Sequence, residues 1–174
     1  MAAIVSDTTA LIVLAGRQRL DLLGACFERV LLPRPVYLEW LAGDAAVEQT
    51  VARLAFLEVV PVDDSPLLGE LRTLLAAGEA EALALARGRG LPLLVDEKKG
   101  RTVARMMKIP VLGLVGVLLL AVERGTLEPR IAGAILRESI DHGFRLSERL
   151  HRAFMERLGL SVENDGRVKD HEYQ

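Results

Sequence analysis

A short apolar run that ends in an acid and hands the chain to a helix occurs twice in this sequence. It occurs at Ala3-Ile4-Val5-Ser6-Asp7 and again at Leu91-Pro92-Leu93-Leu94-Val95-Asp96. Runs this short, apolar on both faces, suit strands buried inside a sheet. Val30-Leu31-Leu32, Leu57 to Val62 and Val111-Leu112 read the same way, and helical stretches separate them. Such alternation calls for parallel strands joined by crossover helices. The chain is therefore expected to be α/β, a three-layer α/β/α sandwich around a central, mainly parallel sheet. Its packing must rely on Leu, Ala and Val, because 51% of residues are hydrophobic but only 4% aromatic.

Between the strands, a helix is expected from Thr9 to Leu23 with a break at Gly16. Others run from Val36 to Leu41 behind Pro35 and from Val47 to Phe56. Ser65 and Pro66 make a cap and first residue for a helix reaching Ala76. Gly78 breaks it, and Glu79 to Arg87 restarts. Helices at Lys98–Met107, Leu114–Arg124, Arg130–Asp141 and Ser147–Leu158 complete the chain. Residues 1–160 are expected to form one domain. Residues 161–174 are polar without an apolar period and are expected to form a flexible tail.

The longest apolar run, Ile109 to Val122, has 14 residues and contains Pro110, Gly113 and Gly116. A membrane span needs roughly 20, so the run reads as strand, turn and buried helix, and no membrane association is expected. Met1-Ala2-Ala3 lacks the basic start of a secretory signal. The single cysteine, Cys26, allows no internal disulfide and fits a reducing, cytoplasmic setting. Lys plus Arg number 22 against 24 Asp plus Glu, a net charge of −2. Nucleic-acid binding would therefore need a local basic patch, since there is no global field.

The acids carry the chemical interest. In open α/β sheets ligands bind at the carboxyl edge of the strands, where Asp7 and Asp96 are delivered. Glu39 lies early in the helix after Pro35, and Glu79 opens the helix after Gly78, so both belong near the same edge. Carboxylates within ~6 Å raise one another's pKa and stay ionised together only beside a cation. Oxygen donors favour Mg²⁺ or Mn²⁺ over zinc, and the chemistry implied is metal-assisted phosphodiester hydrolysis. Each acid also has a plainer role open to it: Asp7 as a helix cap, Glu39 as a solvated helix residue, Glu79 as a partner of the helix dipole. Glu81 competes with Glu79, since residues two apart on a helix do not share a face.

Lys98, Arg101 and Arg105 share a helical face beyond Asp96 and could contact substrate phosphates, or merely be solvated. His142, His151 and His171 lack metal-ligand spacing. Gly113 and Gly116 make no phosphate loop, because the Gly-Lys-Ser/Thr ending is absent.

Taken together, Val5-Ser6-Asp7-Thr8-Thr9, Leu32-Pro33-Arg34-Pro35-Val36-Tyr37-Leu38-Glu39, Gly78-Glu79-Ala80-Glu81-Ala82-Leu83 and Leu94-Val95-Asp96-Glu97-Lys98-Lys99-Gly100-Arg101 resemble the PIN domain. The nearest likeness is to its VapC-like prokaryotic branch, over residues 3 to 158. The resemblance implies a Mg²⁺- or Mn²⁺-dependent ribonuclease with Asp7, Glu39, Glu79 (or Glu81) and Asp96 as its acids. Asp7 and Asp96 would bind metal, and Thr9 would be the hydroxyl that orients the first acid. It further implies an RNA substrate, a small antitoxin partner and a homodimer. Thr9-Ala10 stands where Ser-Pro is common in that branch, and Glu97 where a second aspartate is frequent.

Two other classes compete. A partner-binding module could keep the acidic pocket without turnover. An aspartyl-phosphate protein is disfavoured, because the residue two after Asp7 is Thr9 rather than a second aspartate.

Overall fold

The computed structural model describes residues 3–160, so the expectation for residues 161–174 lies outside the described residues. Five strands form one sheet: β1 (Ala3–Ser6), β2 (Arg29–Pro33), β3 (Leu57–Val60), β4 (Leu93–Leu94) and β5 (Val111–Leu112), in the order β3-β2-β1-β4-β5. The pairings are parallel, with Val5 opposite Leu31 and Leu93, and Ser6 opposite Leu94. The sheet is the middle layer of a three-layer α/β/α sandwich, as the strand–helix alternation requires.

This strand order has a consequence for function. From β1 the chain winds outward through β2 to β3, then returns to the other side of β1 with β4. The crevice between β1 and β4 is thus the topological switch point, where the flanking crossovers diverge and leave room for a ligand. Asp7 and Asp96 stand at its two lips.

The helices are α1 (Thr8–Gly16), α2 (Asp21–Cys26), α3 (Arg34–Gly43), α4 (Val47–Arg53), α5 (Pro66–Leu74), α6 (Ala77–Arg89), α7 (Lys98–Met106), α8 (Leu114–Glu123), α9 (Pro129–Asp141) and α10 (Glu148–Arg157). The break expected at Gly16 separates α1 from α2, with Gln18 in the left-handed region at φ 55°. Ser65 caps α5 by accepting the Leu68 N–H at 3.1 Å. The helix expected from Val47 to Phe56 stops at Arg53, where Leu54 turns extended. Gly78 is not a break. Leu75 and Ala76 leave the helical conformation instead, and Gly78 is buried in the first turn of α6. A Cβ there would meet Val36 Cγ2 at 3.3 Å, so glycine lets α6 start close against α3.

Alternation along the strands divides the core between the two sheet faces. Val5, Leu31, Leu93 and Val95 pack with Leu68, Leu71, Leu83, Ala86 and Ala104 of α5, α6 and α7. Ile4, Val30, Leu32 and Leu94, each fully buried, point to the opposite face. There α2 and α8 pack together, and the Cys26 thiol donates to the Val117 carbonyl.

The described residues fall into two compact units, the sheet-bearing one up to Leu127 and a second from Glu128 onward. In the second, α9 and α10 approach closely, and a Cβ on Gly133 would stand 3.1 Å from Leu160 Cδ1. Among the described residues no helix is long and apolar enough to cross a membrane.

Leu83 is fully buried within the α5–α6–α7 core. Leu83→Ala is expected to lower unfolding free energy by about 2–5 kcal/mol. Urea denaturation should show a lower midpoint with an unchanged slope.

Candidate functional site

Asp7 is the residue between β1 and α1. It occupies the N-cap position, yet its side chain makes no capping hydrogen bond, so helix capping does not account for it. It is only 5% exposed. Burial is the main reason its pKa is pushed up to about 7; the Thr8 backbone N–H opposes the rise, and the charges of Glu79, Glu39 and Asp96 add to it. A carboxylate in that position sits beside other carboxylates without compensation from a buried cation.

Thr8 supplies a contact absent from the sequence reading. Its hydroxyl donates to Glu39 Oε2 at 3.0 Å and so ties the start of α1 to α3. Thr8 is buried and Glu39 is exposed, and the bond fixes an otherwise mobile side chain on the side facing α6. A Cβ on Gly78 would lie 3.4 Å from that same Oε2. Thr9, the hydroxyl suggested by resemblance, is half-buried one residue further along α1. The doublet of hydroxyls after Asp7 was the available signal, but nothing in the sequence distinguishes the two.

Glu79 and Glu81 separate clearly. Glu81 accepts a hydrogen bond from Arg72 Nη2 at 2.9 Å, while Arg72 Nη1 reaches Asp64 at 2.7 Å. Glu81 is thereby neutralised against α5. Glu79 joins Asp7 and Glu39, and its Oε1 is buried with no hydrogen-bond partner. That oxygen rests against α7, where a Cβ on Gly100 would be 3.0 Å away. Burial raises the Glu79 pKa; the Ala76 backbone N–H and Lys99 oppose, while Glu97 and Glu39 add to the rise.

Asp96 is held differently. Both of its carboxylate oxygens accept the Leu114 N–H, at 3.1 and 3.2 Å, at the start of α8. Burial pushes its pKa up to about 6, against the Leu114 N–H and the charge of Arg101, with Glu97 adding to the rise. Gly113 makes this close approach possible, because a Cβ would fall 2.6 Å from Asp96 Oδ1 and 3.0 Å from Arg101 Nη1. Arg101 is half-buried and donates from Nη1 to the Val95 carbonyl at 3.0 Å, so it braces the site from within. Lys98 is exposed.

The donors converging here are all oxygen, which suits a hard divalent cation such as Mg²⁺ or Mn²⁺. The unpartnered Glu79 Oε1 is an acceptor that a cation would satisfy, and the raised acids are groups that it would ionise. Asp7, Glu39, Glu79 and Asp96 therefore fit such an ion chemically. As they stand, no group of three or more His, Cys, Asp or Glu among the described residues is arranged to hold one. Binding would have to draw the carboxylates together.

The raised acids also set a pH dependence. Asp7 and Asp96 are pushed up to about 7 and about 6, above the ordinary aspartate value of 3.8. Their protonated forms stabilise the fold at low pH, and that contribution is lost as pH rises through the folded values. Urea unfolding of chelator-treated protein should therefore show lower stability at pH 8 than at pH 5, by on the order of a few kcal/mol. In Asp7→Asn the larger share of this difference should vanish.

No curated protein matches the chain. Among solved structures, a PilT N-terminus domain protein, SSO1118, from the hyperthermophilic archaeon Sulfolobus solfataricus P2 aligns at 13% identity and a TM-score of 0.44. The alignment covers 84% of this chain and 100% of that one. A family model described as DUF3368: PIN domain matches residues 3–160, nearly the whole sequence. The chain belongs to this PIN-domain family.

Proposed function

We propose that the protein is a divalent-metal-dependent endoribonuclease that hydrolyses RNA phosphodiester bonds. What supports this reading is that the buried Asp7 at the switch point is near enough to feel the charges of Glu79 and Glu39, and that one Glu79 oxygen is buried and unpartnered. Burying acids together costs stability, and folding alone gives no return for it. A cation in their midst would offset that cost.

In this reading Asp7, Glu79 and Asp96 hold Mg²⁺ or Mn²⁺, and Glu39 completes the set or orients the attacking water. The bound ion would supply a water of lowered pKa and neutralise charge developing on phosphorus. The chain's own residues do the positioning. Thr8 holds Glu39 by its hydroxyl, the Leu114 N–H orients Asp96, and Arg101 keeps a positive charge beside it. Lys98 stands exposed at the start of α7, where it would meet substrate phosphate.

The likeness to the VapC-like branch extends the proposal to a cytoplasmic toxin held by a small antitoxin and acting as a homodimer. A second reading has its own support. Asp96 is already engaged by Leu114 and flanked by Arg101, and no described group of acids is arranged for an ion. A non-catalytic module that binds a partner or nucleic acid would keep the pocket in this state.

Two measurements test these ideas. With a mixed RNA pool, wild type should cleave only with Mg²⁺ or Mn²⁺ present, and Asp7→Asn or Glu79→Gln should cut the rate by more than about 100-fold. Glu81→Gln should leave most activity in place. Absence of cleavage at any metal concentration, with no calorimetric signal for Mn²⁺, would sink the nuclease reading in favour of the module. For the toxin reading, induced expression should arrest growth in wild type but not in Asp7→Asn, and co-expression of a small neighbouring open reading frame should relieve the arrest.

A further inference from the structure

Helix α7 and the residues just beyond it carry Lys98, Lys99, Arg101, Arg105 and Lys108, with no acid until Glu123. Arg101 is turned inward, but Lys98, Lys99, Arg105 and Lys108 are exposed. Among the described residues these four make no ion pair. By contrast, Arg19, Arg29 and Arg72 in the same unit each pair with a carboxylate. The chain as a whole is net −2, so this is a local concentration of charge and not a share in a general excess.

The placement also runs against helix stability. Lys98 and Lys99 occupy the first turn of α7, where the positive end of the helix dipole disfavours cations. Lys98, Thr102 and Arg105 follow at helical spacing along one side, which spans roughly 10 Å. Met106, 79% exposed, is the most exposed large hydrophobic residue among the described residues and adjoins Arg105. The stripe begins at the acidic site, since Gly100, next to Lys99 in the first turn of α7, lies against Glu79 Oε1, with a Cβ there only 3.0 Å away.

We infer that the outer face of α7 is a track for the backbone of single-stranded RNA, with Lys98, Lys99 and Arg105 on successive phosphates and Met106 lying against a base. The inference rests on the proposed reading of the acidic site for its choice of RNA. An acidic polypeptide would satisfy the same cations, but it would have no reason to start beside a cluster of carboxylates.

The test measures binding without turnover, so that it stands apart from any failure of catalysis. Full-length Asp7→Asn, in chelator and at stepped salt, is titrated against a fluorescein-labelled mixed-sequence RNA of single-stranded form. Onto this background are placed K98Q/K99Q/R105Q and, as a charge-matched control, R53Q/R87Q/R89Q, each checked for an unchanged thermal midpoint. The α7 triple should bind at least about 10-fold more weakly at low salt, and its slope of log K against log salt should fall by about 2, while the control keeps the parent's slope. Equal losses in both triples would overturn the track, because binding would then follow net charge alone. A parent that binds no RNA, or an α7 triple that loses affinity for poly-glutamate but not for RNA, would overturn it too. Cleavage by wild type with metal, measured separately, reports on the nuclease reading whatever the binding result.

Discussion

The structure depends on a carboxylate placed where the sheet turns over. Asp7 follows the central strand β1, between β2 on one side and β4 on the other, and it is almost wholly buried. A buried acid without a capping bond or an arginine partner is a poor choice for stability alone. Arg72 is engaged by Glu81 and Asp64 instead. The fold thus treats its acids unequally. One is buffered as a structural ion pair, and its neighbour two residues earlier is left unsatisfied.

Close backbone approaches make that arrangement possible. Asp96 reaches the Leu114 N–H because Gly113 presents no Cβ, and the Glu79 carboxylate lies against α7 because Gly100 presents none. With the Thr8–Glu39 bond, these contacts tie residue 8 to 39, 79 to 100 and 96 to 114. Apolar burial on both faces of the sheet fixes the strands beneath them. What freedom remains belongs to the side chains, above all to exposed Glu39, which only Thr8 restrains.

Much of this could be read from residues alone. The five strands, the cap at Ser65 and the break at Gly16 are local features, written in short apolar runs and in Ser-Pro and Gly signals. The edge location of Asp7 and Asp96 followed from the same grammar. Long-range sterics were not legible. Gly78 has the local signature of a break, but its real role is to let α6 approach Val36, some forty residues away in sequence. Likewise Glu79 and Glu81 are equivalent in a first-turn pattern, and only the tertiary position of Arg72 separates them. The Thr8 hydroxyl's partner on α3 is invisible to a local reading for the same reason.

Asp96 shows how the edge is tuned beyond its ligand chemistry. Its oxygens are shared between an N–H at the start of α8 and the field of Arg101, so it is partly satisfied with no cation present. Glu79 has no such support on Oε1. Under the proposed reading Glu79 Oε1 offers an open acceptor to a cation, and Asp96 would keep its orienting bond to Leu114 while its remaining lone pairs stay open to the ion. That bond links the site to the β5–α8 junction, which Gly113 keeps tight. A chain with a second aspartate after Asp96 would have a short extra acid at the same edge. Here Glu97 stands in that place, exposed and on a longer side chain, already close enough to raise the pKa of both Glu79 and Asp96. Glu97 thus adds a fifth acid to this edge, and its effect on Glu79 and Asp96 makes the edge harder to keep ionised without a cation.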